Sequence, residues 1–442
     1  MKKIIIFIIL GIIVPLFAGE PVSVSANKRY LVDENGKPFF WLGDTAWELF
    51  HRLNRQEADL YLQNRADKGF TVIQAVVLAE LDGLNTDNAY GEKPLFDNDP
   101  ARPNEKYFKH VDYIVNKAAK LGLVIGMLPT WGDKYNKQWG AGPEIFTPEN
   151  ASAFGEYLAK RYKDKPIIWI LGGDRNPADD EDRMITNAMA KGIRLVDKKH
   201  LITYHPTGGY KASDFYIQAD WLDLDFYQSG HHIRLEPHYL ISYNEKSLSQ
   251  EPKRPVVNGE PNYEDHPVNW LSNGERGWFD DYDCRYAAYI SLLTGACGHT
   301  YGNHNIWQMW QEGRNPISFV RTKWSRALDH PGAFQMGYMR HLYESLPWEK
   351  LVTGKYQILN PDHSSFQICT LSEDQQFLLA YTADGTELTI NLNDLQSEKV
   401  TATWFNPRDG ERLPVGEFAT DGAQTFKPHS FGRGSDWILI LK

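Results

Sequence analysis

Cysteine is nearly absent from this chain: Cys284, Cys297 and Cys369 are the only three in 442 residues, an odd number without metal-ligand spacing. A disulfide framework and a cysteine-based zinc site are therefore excluded as what holds the fold together. No cysteine lies near the first twenty residues, so a lipid anchor attached there is not indicated. No arginine-rich run or basic patch interrupts a formal net charge of −10, which argues against nucleic acid and anionic membranes as partners. No apolar stretch is long enough to span a bilayer. Internal repeats and low-complexity segments are missing as well. So are a Gly-x-Gly-x-x-Gly after the first strand, a His-x-His at its end and a His-Glu-x-x-His helix. Dinucleotide binding loses its fingerprint, and metal-dependent hydrolysis its usual motifs.

What is abundant is aromatic. Fourteen Trp, 23 Tyr and 21 Phe in a chain that is 42% hydrophobic exceed what packing usually asks for. Either they fill a large core, or some of them stack on the C–H faces of sugars. Met1 to about Ala18 has a basic start at Lys2 and Lys3, an apolar stretch from Ile4 to Leu16, and small residues at Ala18 and Gly19. This reads as a secretory signal peptide over residues 1–19, and a secreted or periplasmic protein without membrane insertion in its mature form.

From Phe39 to Leu346, apolar runs alternate with amphipathic stretches. The expected strands are Phe39 to Leu42, Thr71 to Leu78, Leu123 to Leu128, Ile167 to Leu171, Leu201 to Tyr204, Leu224 to Tyr227, Pro255 to Val257 and Gly298 to Tyr301. Between them, Tyr107, Val111, Ile114, Val115, Ala118 and Leu121 follow helical spacing, and Thr147-Pro148-Glu149 reads as a helix start with Thr as N-cap. Eight alternating units predict a (β/α)8 TIM barrel over residues 20–347, with a doubly wound open sheet as the alternative. After Pro347 the pattern becomes short strands at roughly ten-residue spacing. They begin at Tyr356, Ser365, Phe377, Leu388, Val400 and Trp437, with turn signals such as Asp384-Gly385 and Asp409-Gly410. These predict a small antiparallel β-sandwich over 348–442, which either packs on the barrel or binds a polymer.

Two of the barrel strands end on a glycine-flanked acid: Ile167-Ile168-Trp169-Ile170-Leu171-Gly172-Gly173-Asp174 and Val256-Val257-Asn258-Gly259-Glu260-Pro261. Positions 174 and 260 are 86 residues apart, close to three units of about 31 residues in an eight-unit barrel. That spacing puts a carboxylate after strand four and another after strand seven, on the catalytic face. Glycosidic bond cleavage needs such a pair. The alternative for each acid alone is a helix cap or an ion pair with an Arg such as Arg175.

Other polar and aromatic residues fall at the same strand ends and are candidates for sugar contacts. They are Asp44 and Trp47 after strand one, Glu80 after strand two, and Trp131 after strand three. His205 follows strand five, Tyr227, Gln228 and His231 strand six, and His299, Asn303 and His304 strand eight. Asp44 could equally cap the following helix. Tyr227 or Asn258 is placed to keep Glu260 ionised by donating to it. His205, His231, His232, His299 and His304 with Asp44 raise a metal-dependent hydrolase as an alternative. A catalytically silent glycan-binding protein is another. No metal and no cofactor are expected.

The segments Phe40-Trp41-Leu42-Gly43-Asp44-Thr45-Ala46-Trp47, Trp169 to Asn176 and Asn258 to Glu264 resemble the apiosidase-like glycoside hydrolases, family 140. The C-terminal region resembles the small domain that follows the barrel in that family and carries a collagen-binding label. The resemblance implies a retaining-type barrel hydrolase with Asp174 as acid/base and Glu260 as nucleophile. It also implies removal of a terminal sugar, apiose, from side chains of the plant pectic polysaccharide rhamnogalacturonan-II. Galacturonate in such a substrate would call for a cation, and Arg175 or Arg234 is the candidate.

Overall fold

The structure, a computed structural model, describes residues 21–442 apart from 235, 270–273, 354–357 and 360–364. The expected signal peptide and the start of the strand expected from Tyr356 lie outside the described residues. A ribbon of three short antiparallel strands, Ser23–Val24, Leu31–Val32 and Pro38–Phe39, leads into the barrel.

The barrel strands are β1 (Trp41–Thr45), β2 (Val72–Leu78), β3 (Val124–Thr130), β4 (Ile167–Gly172), β5 (Ile202–His205), β6 (Asp225–Tyr227), β7 (Val256–Asn258) and β8 (Gly298–Tyr301). All neighbours pair in parallel, in the order β5-β4-β3-β2-β1-β8-β7-β6. At the remaining seam, Asp223 N–H donates to Ile202 O at 2.9 Å and the Thr203 hydroxyl to Leu224 O at 2.8 Å. Every residue of the eight strands is buried. Helices cover the outside and side chains fill the inside, so strands such as Ile167–Gly172 read as apolar runs, with polar residues toward several strand ends.

The helices between strands are capped as their sequences dictate. Thr147 accepts from Asn150 N–H, and Asn150 returns the bond, before Pro148–Tyr162. Asn54 with Glu57, and Asp280 with Asp283, build the same reciprocal box. Across the interior the Gln74 amide donates to Gly259 O at 2.9 Å, and between the neighbouring strands β1 and β8 the Trp41 indole donates to the Thr300 hydroxyl at 3.0 Å. The first ties the acid-bearing end of β7 to β2, and the second fastens β8 to β1.

The C-terminal region is a pair of antiparallel sheets. The larger runs Leu351–Val352, Gln367–Ser372, Leu378–Thr382, Trp437–Leu441, Lys399–Phe405, Arg412–Ala419, and the smaller Ile358–Leu359, Leu388–Asn391, Ala423–Phe426. Period-two alternation explains why Trp437-Ile438-Leu439-Ile440-Leu441 is apolar throughout. Trp437, Leu439 and Leu441 enter the core between the sheets, whereas Ile438 and Ile440 join the barrel's apolar cluster. Leu379 and Tyr381 likewise face the barrel, and Leu378 and Ala380 the sandwich. The sandwich thus packs on the barrel. Arg412–Ala419 and Ala423–Phe426 are strands without an apolar signal. Arg412–Ala419 is an edge strand, where Pro414 and Gly416 are tolerated because no further strand needs their donors.

The interface is fastened by a buried ion pair. Arg285, 1% exposed at its side chain, reaches the fully buried Asp436 at 2.8 Å and also bonds Asp281 and Gln335. Asp436→Asn is expected to lower unfolding stability by about 3–5 kcal/mol, because it strands a buried guanidinium. Arg285→Met combined with Asp436→Leu should cost clearly less. Denaturant titration of the two variants checks this.

Candidate active site

At the carboxyl ends of the strands lies a cavity of about 380 Å3, and both Asp174 and Glu260 open on it. Asp174 follows β4 on an unusual backbone. Gly172, Gly173 and Asp174 take φ of 88°, 104° and 52° in succession, a left-handed run that costs a residue with a Cβ about 1–2 kcal/mol. The two glycines carry the bend. A Cβ at Gly173 would stand 2.9 Å from the backbone of Trp131 and Gly132, and one at Gly172 2.5 Å from His205 O. The bend turns the Asp174 side chain toward the cavity, where 23% of its surface is exposed.

His205, the last residue of β5, links the two acids. Its Nδ1 accepts the Asp174 backbone N–H at 3.2 Å, which leaves the ring proton on Nε2. That Nε2 lies 2.7 Å from Glu260 Oε2, off the ideal hydrogen-bond line. The Tyr263 hydroxyl also faces Glu260, and His231 Nδ1 lies 3.9 Å from Oε1. Against the cost of burial, these groups hold the Glu260 carboxyl below its ordinary value. Asp174 moves the other way. Burial first, and the Glu260 charge second, push it up to about 7, although His205, Arg175 and the Gln228 amide oppose this.

A third acid, Glu80, lines the same cavity and is pushed well above its ordinary value, by burial and then by Asp174. The rest of the wall is aromatic and imidazole, with Trp47, Trp131 and Trp307 beside His231 and His266. His231, His266 and His304 form a contiguous row, His231 tilted against His266 at 4.2 Å and His304 meeting His266 edge-on at 4.4 Å. Burial drives His231 and His304 down to about 3 and His266 well below its usual value, so the row is neutral. Among the described residues, no three His, Cys, Asp or Glu converge on a metal-sized point.

Of the residues expected here, Trp47, Glu80, Trp131, Gln228 and His231 line the cavity with the two acids. Five others do not. Asp44 is fully buried behind the wall, paired with Arg65 at 2.7 Å and bonded by Tyr61. Tyr227 points outward, bonding the Ser291 hydroxyl and stacking on Tyr243, so Tyr263 takes the place expected of it beside Glu260. His304 sits behind His266, and His205 reaches the cavity only through Glu260. Arg175 is fully buried, its donors taken by the carbonyls of Asn136, Lys137 and Asp174. Because it is buried away from the cavity wall, it offers no N–H to a substrate carboxylate. Asn258 bonds Ser229 and Ser291 rather than Glu260. His299 is buried within β8, and Asn303 caps the turn His304–Trp307. Arg234 lies in a separate groove against the C-terminal region, paired with Asp283. No lysine or arginine lines the described cavity wall. Trp139, Thr207, His232, Tyr263, His266 and Trp307 are lining residues that strand-end position alone does not mark.

Comparison with known proteins agrees with this geometry. The family profile "Apiosidase-like, catalytic domain" matches residues 25–350, and "Putative collagen-binding domain of a collagenase" matches 355–442. A solved structure described as "Glycoside hydrolase" is 33% identical with a TM-score of 0.86, covering 96% of this chain and 97% of that one. A glycoside hydrolase family 5 structure from Bacteroides vulgatus ATCC 8482 is 32% identical with a TM-score of 0.87, covering 96% and 93%. No curated protein gives a significant match. The chain therefore belongs to the apiosidase-like family of glycoside hydrolases and is a glycosidase acting on carbohydrate.

Proposed function

We propose that this glycosidase removes a terminal apiose from side chains of plant rhamnogalacturonan-II by a retaining mechanism, outside the cytoplasm, with Asp174 as acid/base and Glu260 as nucleophile. The observation that supports the roles is the opposite displacement of two carboxyls on one cavity, Asp174 up to about 7 and Glu260 down. Such a split assigns an acid and a base. The sugar rests on the family description, and the extracellular site on the apolar stretch from Ile4 to Leu16.

The steps follow from the protonation states. Asp174 gives its proton to the glycosidic oxygen as the bond to the anomeric carbon breaks, while a Glu260 oxygen bonds that carbon and the aglycone leaves as an alcohol. Esterification removes the Glu260 charge. Asp174, now ionised, loses the repulsion that had raised it and can remain a carboxylate. It then takes a proton from water as the water oxygen attacks the anomeric carbon, which frees the sugar and returns Glu260 to its ionised form. His205 acts throughout as a positioning residue, with its proton toward Glu260.

Asp174→Asn is expected to lower kcat by roughly 100- to 10,000-fold, the range for a general acid–base group, and Glu260→Gln at least as much, with melting temperatures retained. Near-normal turnover in either overturns the roles. Anomeric proton NMR of the first product should show retained configuration, and inversion would refute the double displacement. Incubation with rhamnogalacturonan-II and a panel of aryl glycosides should release apiose. Release of a different sugar alone sinks the substrate reading.

The pH profile should be a bell. Activity falls as pH rises through about 7, because Asp174 loses its proton, and falls again below the ordinary glutamate range, where Glu260 gains one. His205→Ala removes one of the groups that hold Glu260 ionised, so the acid limb should move to higher pH and kcat fall by roughly 100-fold from misplacement. An unmoved acid limb contradicts the assignment.

A further inference from the structure

One large apolar side chain at the cavity does not behave like core. Trp139 is 53% exposed, whereas Trp47 and Trp131 on the same wall are 2% exposed. Burial does not explain it, and neither does a loose loop, because the loop that carries it is pinned at several points. The Asp133 carboxylate accepts the Gly142 N–H at 2.8 Å and pairs with Lys134 at 2.6 Å, both side chains being buried. The Glu144 carboxylate accepts the Lys137 N–H at 2.7 Å, and Ile145 N–H donates to Lys134 O at 2.8 Å. Arg175 draws in the carbonyls of Asn136 and Lys137 at 2.9 and 3.1 Å. At Gly140 the packing is so close that a Cβ would lie 2.2 Å from the Asp133 Cβ. A half-exposed indole held this firmly is a preformed surface.

Its orientation follows from Arg175. The guanidinium carbon lies 3.9 Å from the centre of the Trp139 ring, so one ring face is covered by a cation. The same guanidinium donates to Asp174 O at 2.7 Å and lies 3.8 Å from the Asp174 carboxylate. Trp139 therefore stands on the Asp174 side of the cavity, while His231, Tyr263 and His266 gather on the Glu260 side. A general acid stands next to the departing oxygen. Resting on the roles given above, we infer that Trp139 is the stacking platform for the sugar on the leaving-group side, and that Arg175 holds it there. The ligand class is a glycan whose residue next to the cleaved bond lays a C–H face on the indole.

The test uses the full chain with Trp139→Ala and Trp139→Phe. Two substrates are compared: a rhamnogalacturonan-II oligosaccharide that carries apiose, and apiosyl fluoride, whose leaving group is a single atom. The alanine variant should raise KM for the oligosaccharide at least tenfold, and its loss in kcat/KM there should exceed its loss on the fluoride at least tenfold. Phenylalanine should recover most of the difference. Equal losses on both substrates, or no loss on the oligosaccharide, overturn the inference. If the wild type releases another sugar, the pair becomes that sugar's fluoride and its parent oligosaccharide, and only the apiose reading falls. A wild type that cleaves no glycoside overturns both.

Discussion

Two carboxyl groups facing one desolvated cavity cannot both stay ionised, and the arrangement around Asp174 and Glu260 follows from that constraint. His205 resolves it structurally. One ring nitrogen receives the Asp174 backbone and the other stands against the Glu260 carboxylate. The charge that His205 and Tyr263 stabilise on Glu260 is the same charge that helps keep the proton on Asp174. One imidazole thus aligns two strand ends and separates two acids in role. The left-handed bend at Gly172, Gly173 and Asp174 is the backbone cost of bringing the second acid into range.

The scaffold spends its remaining polar groups on holding this mouth in shape. Gln74 crosses the barrel to the carbonyl before Glu260, Asp44 and Arg65 pair behind the wall, and Arg175 is consumed by three carbonyls. Each is a charged or amide group that supports the site without touching the cavity. The sandwich contributes from further out. Its six-stranded sheet shares one apolar cluster with the barrel, and Asp436 reaches into the barrel to meet Arg285 on the helix Asp281–Leu293. That helix lies between β7 and β8, so the C-terminal region steadies the side of the barrel that carries Glu260.

The sequence pattern makes the barrel legible because parallel strands buried on both faces are largely apolar runs, and all eight strands fall where those runs lie. It also places both acids at the correct end. What it conceals is direction. Strand-end position puts Asp44, Tyr227 and Arg175 at the rim, but cannot say that Asp44 meets Arg65 from a following helix, or that Tyr227 turns outward while Gln228 turns in. Tyr263 was in view within the Asn-Gly-Glu-Pro-Asn-Tyr segment, yet its contact with Glu260 depends on how that loop folds back. Trp139 sits in a loop without periodicity, and only the folded structure shows that it is exposed, unlike the core aromatics, and that its loop is pinned. Arg412–Ala419 carries no strand signal in its sequence because an edge strand can hold Pro and Gly.

The most direct test of the split between the two acids is a carbon-13 NMR titration of the Asp174 carboxyl in the wild type and in Glu260→Gln. The wild type should titrate near 7. Removing the Glu260 charge should lower that value while leaving it above an ordinary aspartate, because burial persists. A wild-type Asp174 that titrates in the ordinary carboxylate range, or one that does not move in the variant, would contradict the account.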